Sequence, residues 1–425
     1  MPLFTPELEF TDDYPTIEPS LKLDFANARA LDPRITFTRA SIGTYVDKNG
    51  QIKTAGVDEP RFDHDPETGE ILGLLIEESR INLYPISETF ASWNVDNNAT
   101  KTTDGTTIAG LTAIKLTSNV NTNALFLEGN NATFTANTTY TSSVYHKVGN
   151  VDGFWFEARF FSGGGTPKIY FNSSTETWSA TSGGTAPATW SVKSQKVESN
   201  AWRHSITFYI DTDTAGTLRM GALAPANSTN VSTGDYGYLA APQIEVGSFP
   251  TSYIPTSGST VTRALEYGYA TNMDFYNQNE GSVLSEIKLL DLGTTVGKVI
   301  WSLNQVGGFG EGIYFVNENG SNNIRYSVQN SGSQFSGGSF NSNNFIKSAI
   351  GLKENSMINY YNGSLVGSED TSGTIPNNIG RLVIGNNAWG SSDPSNGLNP
   401  SNGHIKSFTY YPKRLANAQL QTLTQ

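Results

Sequence analysis

Short runs in which apolar and polar residues alternate recur along most of the chain. "ITFTRASIGTYVDKNGQIKTAG", "GFWFEARFF", "WRHSITFYID" and "MINYYNGSLVGS" are examples. A period of two places alternate side chains on opposite faces, so these runs predict half-buried β-strands. Between them stand Gly, Asn, Asp and Thr, which suit the left-handed backbone of tight turns. Asn49-Gly50 and Asn362-Gly363 predict two hairpins. At the end, Leu415, Leu420 and Leu423 in "KRLANAQLQTLTQ" predict one short helix.

The spacing of these runs divides the chain. Residues 1–20 hold four prolines and five acidic side chains. Such a segment buries too little to fold alone, so it reads either as an arm that orders on a partner or as a frayed tail. Residues 21–83 read as a compact, more charged β module, with a second turn at Glu67-Thr68-Gly69 and an apolar stretch over 71–76. Regular short strands over 84–263 predict a β-sandwich. "TSYIPTSGSTVTRA" reads as a polar linker, and 264–425 as a second sandwich. The fold class is therefore all-β: a small N-terminal β module followed by two β-sandwich (jelly-roll) domains.

Composition agrees and narrows function. A chain of 425 residues is too long for one ordinary core. A formal charge of −12 disfavours nucleic-acid backbones and anionic membrane surfaces, both of which call for a basic face. With no cysteine there are no disulfides and no thiolate chemistry, which is neutral about compartment. "MPLFTPELEF" lacks the basic and apolar regions of a signal peptide, and no stretch approaches a membrane span.

Three stretches resemble known families. "LDPRITFTRASIGTYVDKNGQIKTAGVDEPRFDHDPETGEILGLLIEESRINL", from Leu31 to Leu83, resembles a module common in virion proteins of tailed bacteriophages. "PQIEVGSFPTSYIPTSGSTVTRA" resembles the closing strand and exit linker of the carbohydrate-binding-like jelly rolls that follow that module. "MINYYNGSLVGS", "RLVIGNN" and "GHIKSFTYYPKRLANAQLQTL" resemble the concanavalin A-like, laminin-G-like superfamily. The resemblance implies a concanavalin A-like last domain and a virion protein, such as a tail fibre or other adhesion protein, made in the host cytoplasm. It further implies an arm that docks on other virion proteins, and β domains that face host-surface glycans. A homotrimer is expected, because weak glycan sites need multivalency. A purely structural head-decoration or baseplate protein without receptor binding is the alternative, and a polysaccharide depolymerase the third.

Sugar recognition needs flat aromatic faces with amides and carboxylates beside them. Trp155, Trp202 and Trp301 sit in apolar strands and read as core. Trp178 and Trp190 flank a loop-rich stretch and are carbohydrate-binding candidates. Trp389 is the leading one, with Asn386, Asn387 and Asp393 beside it. Asp393 with Asn386, Asn387, Asn396, Asn399 and Asn402 offers oxygen ligands that suit Ca²⁺, but one carboxylate is thin for a tight site. "DTDTAG" lacks the later Glu of a Ca²⁺ loop, and the histidines are scattered singly, so no cofactor or metal is expected. "FDHDPETGE" reads as a turn with local Asp–backbone bonds. Catalytic residues are not expected either: a glycosidase needs two facing carboxylates, and Glu77-Glu78 are adjacent, which in a strand puts them on opposite faces.

Overall fold

A computed structural model describes residues 14–27, 30–90, 93–95, 98–123, 127–129, 132–160, 168–180, 189–212, 215–223, 230–290, 297–306, 311–317, 323–329, 333–339, 344–386 and 400–425. The protein is all-β, built from two antiparallel sandwiches. The predicted C-terminal helix forms over Asn417–Leu423. No helix among the described residues is long and apolar enough to cross a membrane.

The middle sandwich sets a six-stranded sheet, centred on Thr138–Lys147, against a seven-stranded sheet centred on Gly153–Phe160. Alternate residues from each side, such as Val144, Ile206, Phe154 and Phe156, meet in one core. The last sandwich faces an eight-stranded sheet with a seven-stranded one. Trp301 lies at its centre, packed against Phe408 and Tyr326. Its indole Nε1 donates to Ser285 Oγ at 3.1 Å, so burial leaves no polar atom of the ring unmet.

The stretch 21–83 does not close on itself as a separate module. Its hairpin does form, with Gly43–Val46 and Ile52–Ala55 joined across Asn49-Gly50 and Gly50 at φ +73°. The strands around the hairpin, however, belong to the last sandwich. Leu21–Asp24 and Ile71–Ile76 lie end to end along one edge of the closing strand Gly403–Tyr411, and Thr36–Thr38 pairs with Tyr267–Ala270. The physical reason is size. Strands this short cannot bury an apolar face by themselves, and Leu21, Leu23, Phe37, Leu74 and Ile76 reach full burial only in the larger core. Gly73 permits the docking: at φ +100°, an added Cβ would stand 2.4 Å from the Ile405 carbonyl oxygen.

The middle sandwich is thus bracketed by strands of the last one. Its two ends run side by side, with Arg80–Asn82 paired to Val261–Arg263. The first half of the stretch read as a polar linker is not exposed: Thr251, Tyr253, Ile254 and Thr256 are buried, while residues 257–260 face solvent. Tyr253 joins Tyr145, Ala201 and Ala240 in a second small core that the hairpin's Ile52 also touches. This covering explains why Thr138–Lys147 is buried on both faces.

The second half of the expected arm is part of the fold. Ile17 packs on Tyr411, Leu415 and Leu420, and Ser20 N donates to the Tyr410 carbonyl at 3.0 Å. Residues 1–13 lie outside the described set. Deletion through Ser20 is expected to cost about 1–3 kcal/mol of stability from lost apolar burial. A melting curve identical to that of the full chain would refute the place given to Ile17 and Ser20 in the fold.

Candidate functional site

The structure sorts the tryptophans. Trp155, Trp202 and Trp301 are core residues, as their strands predict. Trp178 and Trp190 are half-buried and pack on the middle core. Trp178 stacks on Phe156 at 6.4 Å, leans on Phe171 at 5.1 Å and donates its Nε1 to Ser194 Oγ at 3.0 Å. An indole pinned by those contacts works as a clamp between strands more than as a free platform. Trp389, Asn387 and Asp393 lie outside the described residues, as do Asn396, Asn399 and Asp213. Asn386 is fully buried, which removes it from any surface that meets a glycan. Asn402 is buried too, and its Oδ1 accepts from Glu78 N at 2.8 Å, so that oxygen is already in use within the chain. Among the described residues, no cluster of three or more His, Cys, Asp or Glu is placed to hold a metal ion.

Charged residues of the stretch 38–83 meet Arg263 and Glu266 in a buried ion network where the two sandwiches join. Arg39 and Arg61 both bond Glu266, Arg39 at 2.7 Å. Arg61 also reaches Glu77 at 2.8 Å, and Arg263 reaches Glu77 at 3.0 Å. Ser252, from the stretch after the middle sandwich, donates through both N and Oγ to Glu77, at 2.8 and 2.6 Å. All five charged side chains are essentially inaccessible. Burial pushes the Glu77 carboxyl up, but the Arg263 and Arg61 guanidiniums outweigh it and hold the group far below the ordinary carboxylate range. Glu77 and Glu78 lie not in a strand but in the short link between Ile71–Ile76 and Arg80–Asn82, and Glu78 turns elsewhere to pair with Arg80 and Lys298, each at 2.5 Å.

Beside this network a cleft of about 570 Å³ opens between the hairpin module, the middle sandwich and the last sandwich. Strand register brings its parts together. Asp63 lies opposite Gly73, and His404 opposite Leu75, on neighbouring strands of one sheet. His404 Nε2 donates to Asp63 Oδ2 at 2.8 Å, and Asp63 Oδ1 accepts from Val46 N at 2.6 Å. Within "FDHDPETGE", Asp65 makes the expected local turn, accepting from Glu67 N and Thr68 N at 3.0 and 2.9 Å. Asp63 does not: it is a long-range partner that sequence reading missed. On the far wall stand Lys193 and Lys196 from the edge strand Trp190–Glu198, with Arg203 behind them.

The singly scattered histidines therefore form two groups. His64 and His404 line the cleft. His146 and His204 are diagonal neighbours on paired strands, where His146 faces Trp202 and Val144 faces His204. His146 Nδ1 lies 3.3 Å from His204 Nε2, and His204 Nδ1 lies 2.8 Å from Ser194 Oγ. Burial between Phe154 and Trp202 pushes the His146 pKa down to about 3. His204 is likewise held well below its ordinary value by burial, then by His146. The alternation of the two strands was the available signal; the pairing register was not.

No family model matches the sequence, and no curated protein matches it. Among solved structures, the carbohydrate-binding module CBM40 of the Ruminococcus gnavus IT-sialidase, bound to α2,3-sialyllactose, is similar with a TM-score of 0.31. The identity is 10% over 35% of this chain and 83% of that one. Domain 4 of AbnA, a GH43 extracellular arabinanase from Geobacillus stearothermophilus in complex with arabinotriose, gives 0.28, at 17% identity over 42% of this chain and 84% of that one. The Trypanosoma rangeli sialidase in complex with the inhibitor DANA gives 0.31, at 11% identity over 73% and 60%. Likenesses at this level assign neither a family nor a ligand.

Proposed function

We propose that the chain is a structural adhesion protein of a tailed-phage virion, of the tail-fibre or related receptor-binding type. It holds host-surface glycans without hydrolysing them and works as a homotrimer. One observation supports the reading: Arg39, Arg61 and Glu77 of the phage-like stretch and Arg263 of the jelly-roll-like one are spent on a buried network that joins the two sandwiches into one body. A body braced in this way suits presentation of fixed surfaces. The acidic residues fit this non-enzymatic role. Glu77 is committed to arginines, and Glu286 stands on its strand with Lys406 as a neighbour at 3.7 Å.

A second reading, a head-decoration or baseplate protein without receptor binding, has one observation in its favour. The described tryptophans are either buried or packed against cores, which removes them as open sugar platforms. Purified chain is expected to bind host cells and to compete with particles for adsorption. Absence of competition, together with a capsid-lattice position in a whole-particle reconstruction, would establish the second reading over the first.

A further inference from the structure

The outer face of the middle sandwich's six-stranded sheet is covered at one end and open at the other. At the covered end Tyr145, Ala201 and Ala240 are buried in the small core that Ile52 of the hairpin touches. At the open end three neighbouring strands set two rows side by side: Thr100, Thr117 and Tyr236, then Thr102, Lys115 and Tyr238. Leu116 and Leu239, one residue out of step, point into the sandwich core, so these six side chains face outward. All six are exposed or half-buried. Three strands at a spacing of about 4.8 Å make a patch about 10 Å wide.

The patch combines aromatic surface with hydroxyls. The Tyr236 and Tyr238 rings stand 5.6 Å apart at 83° and form a corner. Both are held in place. An added Cβ at Gly149 would stand 2.5 Å from the Tyr236 ring, so that ring is packed down against the backbone. The Tyr238 ring leans on the small core and donates its hydroxyl to Asp104 Oδ2 at 3.1 Å. Lys115 Nζ lies 3.9 Å from the Tyr236 centroid and occupies that ring's face, which makes Tyr238 the ring for the C–H side of a pyranose. Among the described residues, the Thr100, Thr102 and Thr117 hydroxyls take part in no hydrogen bond. The local charges cancel in pairs: Lys115 lies 3.8 Å from Asp104, and Lys147, next to Tyr238 in the second row, pairs with Glu198 at 2.7 Å. Rings and hydroxyls with paired charges beside them suit an uncharged sugar and favour no ionic group.

We propose that this open patch binds neutral saccharides. The sugar chain crosses the strands, with one pyranose stacked on Tyr238 and the next bonded through its hydroxyls to Thr117, Thr100 and Thr102. The inference rests on the glycan-binding reading and assigns that binding to the middle sandwich, on residues other than Trp389.

The test is calorimetric titration of the full chain with neutral gluco-, galacto- and N-acetylglucosamine oligosaccharides, beside galacturonate oligosaccharides of equal length. At least one neutral sugar is expected to bind, more tightly than the galacturonate, and Tyr238→Ala to weaken it about tenfold. Thr100→Ala and Thr102→Ala remove only exposed hydroxyls, so they leave the melting temperature unchanged and weaken binding about threefold each. Lys353→Ala, at an exposed strand end of the last sandwich, is the control and leaves binding unchanged. Equal or tighter binding of galacturonate, or indifference to all three patch substitutions, would overturn the proposal. So would loss of self-association in ultracentrifugation with sugar binding intact, which would make the patch a subunit interface. If the parent adsorbs to host cells but binds none of the neutral sugars, the patch assignment fails while the glycan reading stands. If it does neither, both fail.

Discussion

Arg61→Leu is expected to destabilise the protein by about 3–5 kcal/mol, because removing one member of a buried ion cluster leaves its partners charged and unpaired. Arg61 is the hub of the network. It bonds Glu77 and Glu266, and its Nη1 donates to the Thr44 carbonyl at 2.6 Å and to Ser252 Oγ at 2.7 Å. Those partners come from the hairpin, the strand end at Glu77, the exit of the middle sandwich and the entry to the last one. The loss is therefore expected to uncouple the sandwiches as well as weaken them. Urea unfolding followed by tryptophan fluorescence and by circular dichroism is expected to show one coincident transition in the parent and separated transitions in the variant. A change under about 1 kcal/mol, as for an exposed pair, would refute the role given to this network.

Stability is expected to fall as pH drops from about 6.5 towards 4.5, before carboxylates begin to titrate. The cause is the His146–His204 pair. Both rings have folded-state pKa values far below the ordinary 6.5, so the unfolded chain takes up protons that the native state refuses. Stability is complete above 6.5 and declines below it, by about 1.4 kcal/mol per pH unit for each histidine. Glu77 acts in a separate window. Its depressed pKa contributes stability above 4.5 that is lost only as pH falls further. His146→Phe is expected to halve the slope between pH 6 and 5, with the ring kept in its stack beside Phe154, 5.1 Å away. A urea midpoint that stays constant from pH 7 to 5 would show that the rings accept protons without cost.

Local pattern carried the strands, the hairpins and the core tryptophans into view, because each depends on residues within one strand length. Asn362-Gly363 is an example, with both residues at positive φ, 47° and 76°, between paired strands. What stayed hidden depends on distance. Arg39 and Glu266 are 227 residues apart and Asp63 and His404 are 341 apart, so no spacing rule joins them. The charged residues of the signature were visible as a pattern, but their burial was not, since charged side chains are ordinarily exposed. The same holds for the short strands at 21–24 and 71–76. Their alternation is legible, whereas their partner, at the far end of the chain, is a matter of topology.

The shared edge of the closing strand has a consequence for synthesis. Ser20 and Tyr410, bonded in the finished protein, are 390 residues apart. At about 5–20 residues per second, the first strand waits about 20–80 s on the ribosome before its partner exists. The middle sandwich, whose strands pair among themselves, completes during that delay. The protein is thus expected to mature from the inside outward, with the last sandwich sealed only once the closing strand Gly403–Tyr411 has been translated. A chain released before Gly403 would carry a finished interior sandwich beside unpaired leading strands, a form that proteases and chaperones recognise at once.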